Sequence, residues 1–273
     1  MQEGHGLYEP AAPDALLCVG GGKTLYVGSL EQVGWHLHGT PVFIAGLAGD
    51  FRLRLPGGDW TTCRCAVIPA GVRHALDLGG EPLAAFYPEP NIAGLSALTR
   101  LGANWHEREK ILLAQHAELR SFRELHENSA SVHWSGEALD DLLGFALRRD
   151  GGNPLDPRIA QVVAWLDERP DDLTGAWRIA RTQGLSSSRF LHLFTEQIGV
   201  PFRRYRIWNR IRAATKVALS GNNFTDAAMT AGFADSAHFT NSFRDTFGVT
   251  PSYVFRKIGR SGTMPGLRTA TRT

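Results

Sequence analysis

The chain has 273 residues, 43% apolar and 21% charged, an ordinary composition for a soluble globular protein. Its length allows two domains of about 100–200 residues each. No apolar run approaches the roughly 18–20 residues needed to span a bilayer, and the opening "MQEGHGLYEPAAPD" lacks a basic-then-apolar secretory pattern, so a cytoplasmic location is expected. Cys18, Cys63 and Cys65 are too few for a disulfide framework. The formal charge of +2 is unevenly divided: from Pro154 onward 17 Lys/Arg face 9 Asp/Glu, and before it 12 face 18. A basic half joined to an acidic one points to a nucleic-acid-binding module attached to something else.

In chain order, the first 90 or so residues carry short apolar runs separated by Gly and Pro: "TLYVGSL", "PVFIAGLAG", "FRLRLPGG", "CRCAVIPAG" and "LAAFYPEP". These predict short strands joined by tight turns, hence an antiparallel barrel or sandwich over 1–93. "CVGGGKT" is not a phosphate loop, because Leu17 stands where the motif requires its first Gly. Cys63 and Cys65, two apart, are expected on one strand face as small buried hydrophobes.

From Leu95 to Arg149 the signals become helical. "REKILLAQHAELRSFRELHE" has no proline, and "SGEALDDLLGFALRR" has Ser135 as a possible cap. Leu112, Gln115, Leu119, Phe122 and Leu125 make a stripe with partial helical spacing, suited to core packing or to dimerisation. Residues 94–150 are thus expected to form a helical packing or dimerisation region. A Gly- and Pro-rich linker is expected over 151–157, an all-helical domain over 158–258, and a disordered basic tail over 259–273.

The strongest signal is an internal repeat. Ala180 and Ala228 are 48 apart, as are Gly184 and Gly232; Phe190 and Phe239 are 49 apart, as are Phe194 and Phe243, and Gly199 and Gly248. Each copy reads as a short helix, Ala-x-x-x-Gly, a tight turn and a second amphipathic helix, which is the logic of a helix-turn-helix. In the second copy Phe239, Phe243 and Phe247 face inward, while Ser236, His238, Asn241 and Arg244 lie outward. Between the copies, Phe202 to Leu219 predicts a helix of 18 residues, or about 27 Å. Tyr205, Trp208, Ile211 and Val217 form its apolar face, and Arg203, Arg204, Arg206, Arg210, Arg212 and Lys216 its basic one. Such a helix can hold two reading helices near the roughly 34 Å that separates successive major-groove faces.

Residues 156–257, and above all "AAMTAGFADSAHFTNSFRDTFGVTPSYVFR", resemble the AraC/XylS family of bacterial transcription regulators. The resemblance implies reading helices beginning near Ser186 and Asp235. Contact positions would be Ser187, Ser188, Arg189 and His192, then Ser236, Ala237, His238, Asn241 and Arg244. Asn241 suits adenine, His192 or His238 can donate to guanine, Ala237 can touch a thymine methyl, and the serines suit phosphate. Where that family often carries Arg or Gln, this chain has His192 and Asn241. Arg178, Arg204 and Arg210 are candidate phosphate contacts, with an internal salt bridge the alternative for Arg210.

In the N-terminal half, "GWHLHGT" and "PAGVRH" bring His36, His38 and His74 into play. Two imidazoles on one strand face and a third after a turn suit Zn, Fe, Ni or Cu. The spacings resemble the His-x-His and Pro-x-Gly-x-x-His motifs of the cupin barrel, a sensing domain common in AraC-like regulators. Catalytic cupins place a Glu where this chain has Val42 and Phe43. Three readings of the trio stand: a metal site, imidazoles that hydrogen-bond an organic effector, and structural histidines at turns.

The expected fold is α+β in two domains. The first is a cupin-like antiparallel barrel with following helices; the second is an all-α domain of two helix-turn-helix units joined by a long helix. The expected function is effector-responsive, sequence-specific DNA binding rather than catalysis. Its partners would be operator DNA, a small-molecule effector, RNA polymerase and a second copy, with a divalent metal (Zn, Fe or Ni) as the candidate cofactor. The alternatives are a cupin-type metalloenzyme with a basic helical appendage and an architectural DNA-binding protein with an inert barrel.

Overall fold

The computed structural model describes residues 15–90, 95–117, 119–127 and 155–262. Its N-terminal half is built from short strands: β1 (Ala15–Gly20), β2 (Lys23–Ser29), β3 (Gln32–His36), β4 (Val42–Gly46), β5 (Phe51–Arg54), β6 (Thr61–Cys63), β7 (Cys65–Ile68), β8 (His74–Asp77) and β9 (Pro82–Pro88). The β1–β2 connection is a tight turn with positive φ at Gly21 and Gly22, the glycine hairpin that the dismissed phosphate-loop pattern leaves room for.

After β9 come a short helix α1 (Leu95–Thr99), strands β10 (Gly102–Ala103), β11 (His106–Arg108), β12 (Ile111–Ala114) and β13 (His116–Ala117), and helix α2 (Arg120–Glu127). The expectation of helix throughout 94–150 is therefore corrected for 102–117. Leu112 and Leu113 pair with Val67 and Ala66 and extend the sheet, and Glu109 and Lys110 turn the β11–β12 hairpin with φ of 48° and 73°. Tertiary pairing outweighs the helix preference of "REKILLAQ". Leu112 thus belongs to a strand, whereas Phe122 and Leu125 lie on α2, buried against the sheet, with Phe122 stacked 5.8 Å from Phe43. These three residues of the expected stripe serve packing within the subunit. Ser135 and the second predicted helix fall outside the described residues.

The strands form two main sheets rather than a closed barrel. One runs β11-β12-β7-β4-β9-β2-β1-β14, the other β3-β8-β5-β6, and β10 pairs with β13 separately. Alternation along the larger sheet supplies two apolar faces. Leu16, Cys18, Leu25, Phe43 and Phe86 pack with α1 and α2, while Leu17, Tyr26, Ile44, Ala85 and Tyr87 face the smaller sheet and the C-terminal helices. The chain crosses from one sheet to the other at Arg64, between β6 and β7. Cys63 and Cys65 consequently join different apolar clusters instead of sharing a strand face. Burial pushes their thiols up to about 12 and about 11, which leaves them protonated at neutral pH.

The C-terminal half is helical: α3 (Pro157–Glu168), α4 (Ala176–Thr182), α5 (Ser187–Ile198), α6 (Phe202–Leu219), α7 (Phe224–Thr230), α8 (Ser236–Phe247) and α9 (Pro251–Lys257). Asp156 caps α3 by accepting from the Arg158 N–H, and Pro157 occupies the first turn, where a missing N–H costs nothing. The final strand β14 (Ile258–Gly262) lies parallel to β1 at the sheet edge. This corrects the disordered tail for 259–262: the unpaired edge of β1 offers a backbone ladder that the chain end takes up. Residues 263–273 lie outside the described residues. No helix among the described residues is long and apolar enough to cross a membrane.

Candidate nucleic-acid interface and sensor cavity

The sequence repeat is a structural repeat. In the first unit, α4–α5, the Leu185 N–H donates to Ala180 O at 2.9 Å; in the second, α7–α8, the Phe233 N–H donates to Ala228 O at 2.9 Å. Ala180 and Ala228 are fully buried, and Gly184 and Gly232 take φ of 66° and 78° in the turns. Ser186 caps α5 by accepting from the Arg189 N–H, and Asp235 caps α8 by accepting from the His238 N–H. Side-chain caps at both N-termini fix where each reading helix begins.

On α5, Ser187, Ser188, Arg189 and His192 are exposed; on α8, Ala237, His238, Asn241 and Arg244 are exposed and Ser236 is half-buried. The outward edges of both helices are open to a duplex in this arrangement. Arg244 donates to Asn241 Oδ1 at 3.0 Å, His238 stands edge-on to Phe233 at 5.1 Å, and His192 lies 3.7 Å from Glu196. Arg178 is exposed, with its guanidinium 5.0 Å from the Trp177 ring. Arg204 is half-buried.

Arg210 turns inward and donates to Pro170 O at 3.1 Å and to Asp172 O at 3.2 Å. Arg206 donates to Thr174 O and Asp172 O. Both arginines hold the α3–α4 loop, so Arg210 takes an internal role, through carbonyl groups rather than a salt bridge.

Helix α6 has the 18-residue length counted from the sequence, but Arg212 is not on its basic face. It is 6% exposed and bridges Glu89 Oε1 at 2.8 Å and Asp167 Oδ1 at 3.0 Å. Glu89, buried at the end of β9, also accepts from the Tyr205 hydroxyl at 2.6 Å and from Trp208 Nε1 at 2.8 Å. One carboxylate of the N-terminal half therefore gathers three donors from the connecting helix. A lone charge in "YPEPN" gives no periodic signal, so Glu89 is silent in the sequence. Arg212 is not: it falls four residues after Trp208 and seven after Tyr205, on the apolar stripe.

Helix α8 also meets the N-terminal half. The Gly34 N–H donates to Gly248 O at 3.0 Å and the Leu37 N–H to Asp245 O at 3.3 Å. Gly248 has φ of 72°, and a Cβ there would stand 2.5 Å from Gly34 O. Phe247 lies 5.7 Å from the rings of both Tyr87 and Trp208 and 6.2 Å from that of His38. The Phe stripe read from the sequence thus divides: Phe239 and Phe243 are buried, and Phe247 packs against His38 and Tyr87 of the N-terminal half.

His36, His38 and His74 converge beside this contact, all buried, with one ring nitrogen of each within 4.8 Å of the others. His36 Nδ1 is 2.7 Å from Gly34 O and His74 Nδ1 is 2.9 Å from Val72 O. With those nitrogens donating to backbone, each Nε2 keeps its lone pair. His74 Nε2 and His38 Nδ1 are buried without a partner. Burial is the main cause that lowers all three, His74 to about 4, with mutual repulsion adding at His36 and His38. Neutral imidazoles with free lone pairs fit a divalent cation. Gly71, with φ of 79°, makes the turn that delivers His74, and its N–H donates to His38 O at 3.0 Å. Val42 and Phe43, where a catalytic cupin carries Glu, are fully buried. Neither cysteine belongs to the cluster, which is confined to the histidines among the described residues.

Beside His36, a cavity of about 70 Å³ opens between the two sheets. Its walls are Leu17, Tyr26, Ile44 and Ala85 of the N-terminal half, and its cover is formed by α6, α8 and α9, Phe243 and Phe247 included.

Residues 179–257 match the family model described as "Helix-turn-helix domain". Among curated proteins, the virulence regulon transcriptional activator VirF of Yersinia enterocolitica is 36% identical over 87 residues, covering 31% of this chain and 32% of that protein. The transcriptional activator RhaS of Escherichia fergusonii is 30% identical over 176 residues, 59% of this chain and 62% of that one. The matched stretch thus spans about a third of VirF and under two thirds of RhaS. An apo variant of ToxT from Vibrio cholerae superposes with a TM-score of 0.60 at 16% identity, covering 87% of this chain and 98% of that one. Unsaturated-fatty-acid-bound ToxT superposes at 0.57 and 15%, covering 93% and 100%. The ToxT likeness establishes a shared two-domain fold.

Proposed function

We propose that this chain, whose C-terminal domain is a helix-turn-helix domain of the AraC/XylS kind, is a ligand-responsive, sequence-specific DNA-binding transcription regulator acting in the cytoplasm and not an enzyme. One observation carries the reading. Two equivalent helix-turn-helix units present open N-terminal edges on α5 and α8, and the C-terminal end of α8 is hydrogen-bonded to the sensor sheet. Base contacts fall to Ser187, Ser188, Arg189 and His192 of the first helix and to Ser236, Ala237, His238, Asn241 and Arg244 of the second. Arg178 and Arg204 hold phosphate. RNA polymerase and a second copy are further proposed partners, supported by the family resemblance alone.

The fatty-acid-bound ToxT structure supports an organic effector for this chain too, placed in the cavity under α6 and α8. At about 70 Å³ the cavity is less than half the roughly 150 Å³ that accommodates benzene. An effector of several heavy atoms must therefore displace its cover, which includes the second reading helix. That differential fit is what ligand control of DNA binding requires. Saturable, sequence-dependent gel shifts at physiological salt, with a genomic footprint to supply the site, test the reading. Binding that is indifferent to sequence would overturn it.

A second reading concerns the histidine trio, favoured by its convergence. His36 and His74 through Nε2, with His38, would hold Zn, Fe or Ni, and the cation would fix the loop that carries the α8 contact. Metal content after purification without chelator, and the visible spectrum of a Co²⁺-loaded sample, test it. Unchanged spectra in His74→Ala relative to wild type would remove the site.

A further inference from the structure

Two polar groups lining the cavity are buried without partners: Thr24 Oγ1, from β2, and Arg212 Nε, from α6. Thr24 is 5% exposed and Arg212 6%. An orphaned buried hydroxyl and an orphaned guanidinium N–H each carry a desolvation cost, relieved if a ligand offers an acceptor to both. The remaining walls are mostly aliphatic and aromatic.

The charge of that ligand follows from the neighbours of Arg212. Its guanidinium is already matched by Glu89 at 2.8 Å and Asp167 at 3.0 Å. Among the described residues it is the only Lys or Arg lining the cavity. Lys23 is fully buried one residue before Thr24, but strand alternation turns its side chain to the opposite face of the sheet. A carboxylate entering against Arg212 would add a third negative charge, after Glu89 and Asp167, to one already compensated cation in a low-dielectric site, which is unfavourable. An uncharged acceptor meets no such opposition.

We infer that the cavity takes an uncharged, largely apolar small molecule whose single acceptor group, a hydroxyl, carbonyl or ether oxygen, is held between Thr24 Oγ1 and Arg212 Nε. The inference deepens the effector reading above and rests on it. It also separates this chain from its fatty-acid-bound structural neighbour, whose ligand is an acid.

The test uses the full chain and the uncharged fluorophore N-phenyl-1-naphthylamine, displaced by 1-decanol or by decanoate. Saturable fluorescence enhancement is expected, with decanol displacing the probe at a concentration at least about ten-fold below that of decanoate. Thr24→Val is close in shape and removes an unpaired hydroxyl, so it should melt at or above the wild-type temperature while raising the decanol concentration required about five-fold or more. Ala85→Phe, which fills the cavity, should abolish the enhancement. Absence of saturable binding, decanoate equal to or better than decanol, or no change in Thr24→Val would each overturn the inference. Gel shifts on the same preparation keep the two readings apart. An intact sequence-dependent shift without probe binding sinks the ligand class alone; probe binding without a shift sinks the regulator reading.

Discussion

The two reading helices are near copies in sequence and capping, yet they stand differently toward the sensor. Helix α5 ends at the buried Ile198, and a Cβ on its cap Gly199 would touch Ala70 of the N-terminal half at an ordinary 3.4 Å. Helix α8 ends at Phe247, whose ring lies among His38, Tyr87 and Trp208, and its cap Gly248 is hydrogen-bonded to Gly34. Position 198 of one copy corresponds to 247 of the other, so the duplication diverges in the turn that meets the sheet. The second of these helices lines the cavity and is hydrogen-bonded to β3, whereas the first does not line the cavity and meets the N-terminal half through its capping turn, beside Ala70.

The largest effect that bears on this asymmetry is expected from Glu89→Ala. It leaves Arg212 buried beside Asp167 alone and frees Tyr205 and Trp208, so full-chain stability should fall by about 3–5 kcal/mol, measured by urea unfolding. A loss below about 1 kcal/mol would mean that something else joins α6 to the sheet.

Next come Gly248→Ala and Gly199→Ala. Both require a left-handed alanine, which costs about 1–2 kcal/mol. Only the former drives a Cβ into the backbone of β3, and overpacking adds about 1–3 kcal/mol more. Equal losses in thermal or chemical denaturation would break the comparison.

The smallest effect concerns recognition itself. Asn241→Ala should weaken operator binding by about 1–3 kcal/mol and relax preference at one base pair, whereas His192→Ala should relax a different one. Titration against a panel of single-substituted operators reads both, and an identical profile for the two variants would deny the helices separate grooves.

Much of the C-terminal half was legible because its signals are periodic. The 48- and 49-residue spacings of Ala, Gly and Phe set both units, and the length of α6 followed from uninterrupted helical sequence. The strands over 102–117 were not legible. Their helix-compatible residues become sheet only by pairing with β7, which is distant in the chain. Nor could the switch of sheets at Arg64 be read, since Cys63 and Cys65 fit one strand equally well. The convergence of His36, His38 and His74 lay within reach of spacing arguments. The cavity beneath α8 did not, because it is formed by residues from both ends of the chain.

The parallel pairing of β14 with β1 has a mechanical consequence. After α9 the polypeptide adds β14 to the edge strand β1, so the helical half is tied to the sheet by this backbone pairing as well as by the contacts of α6 and α8. A body fastened twice can rock but cannot swing free. Whatever enters the cavity would therefore alter the tilt of the reading pair by a small angle, and the operator would sense that angle.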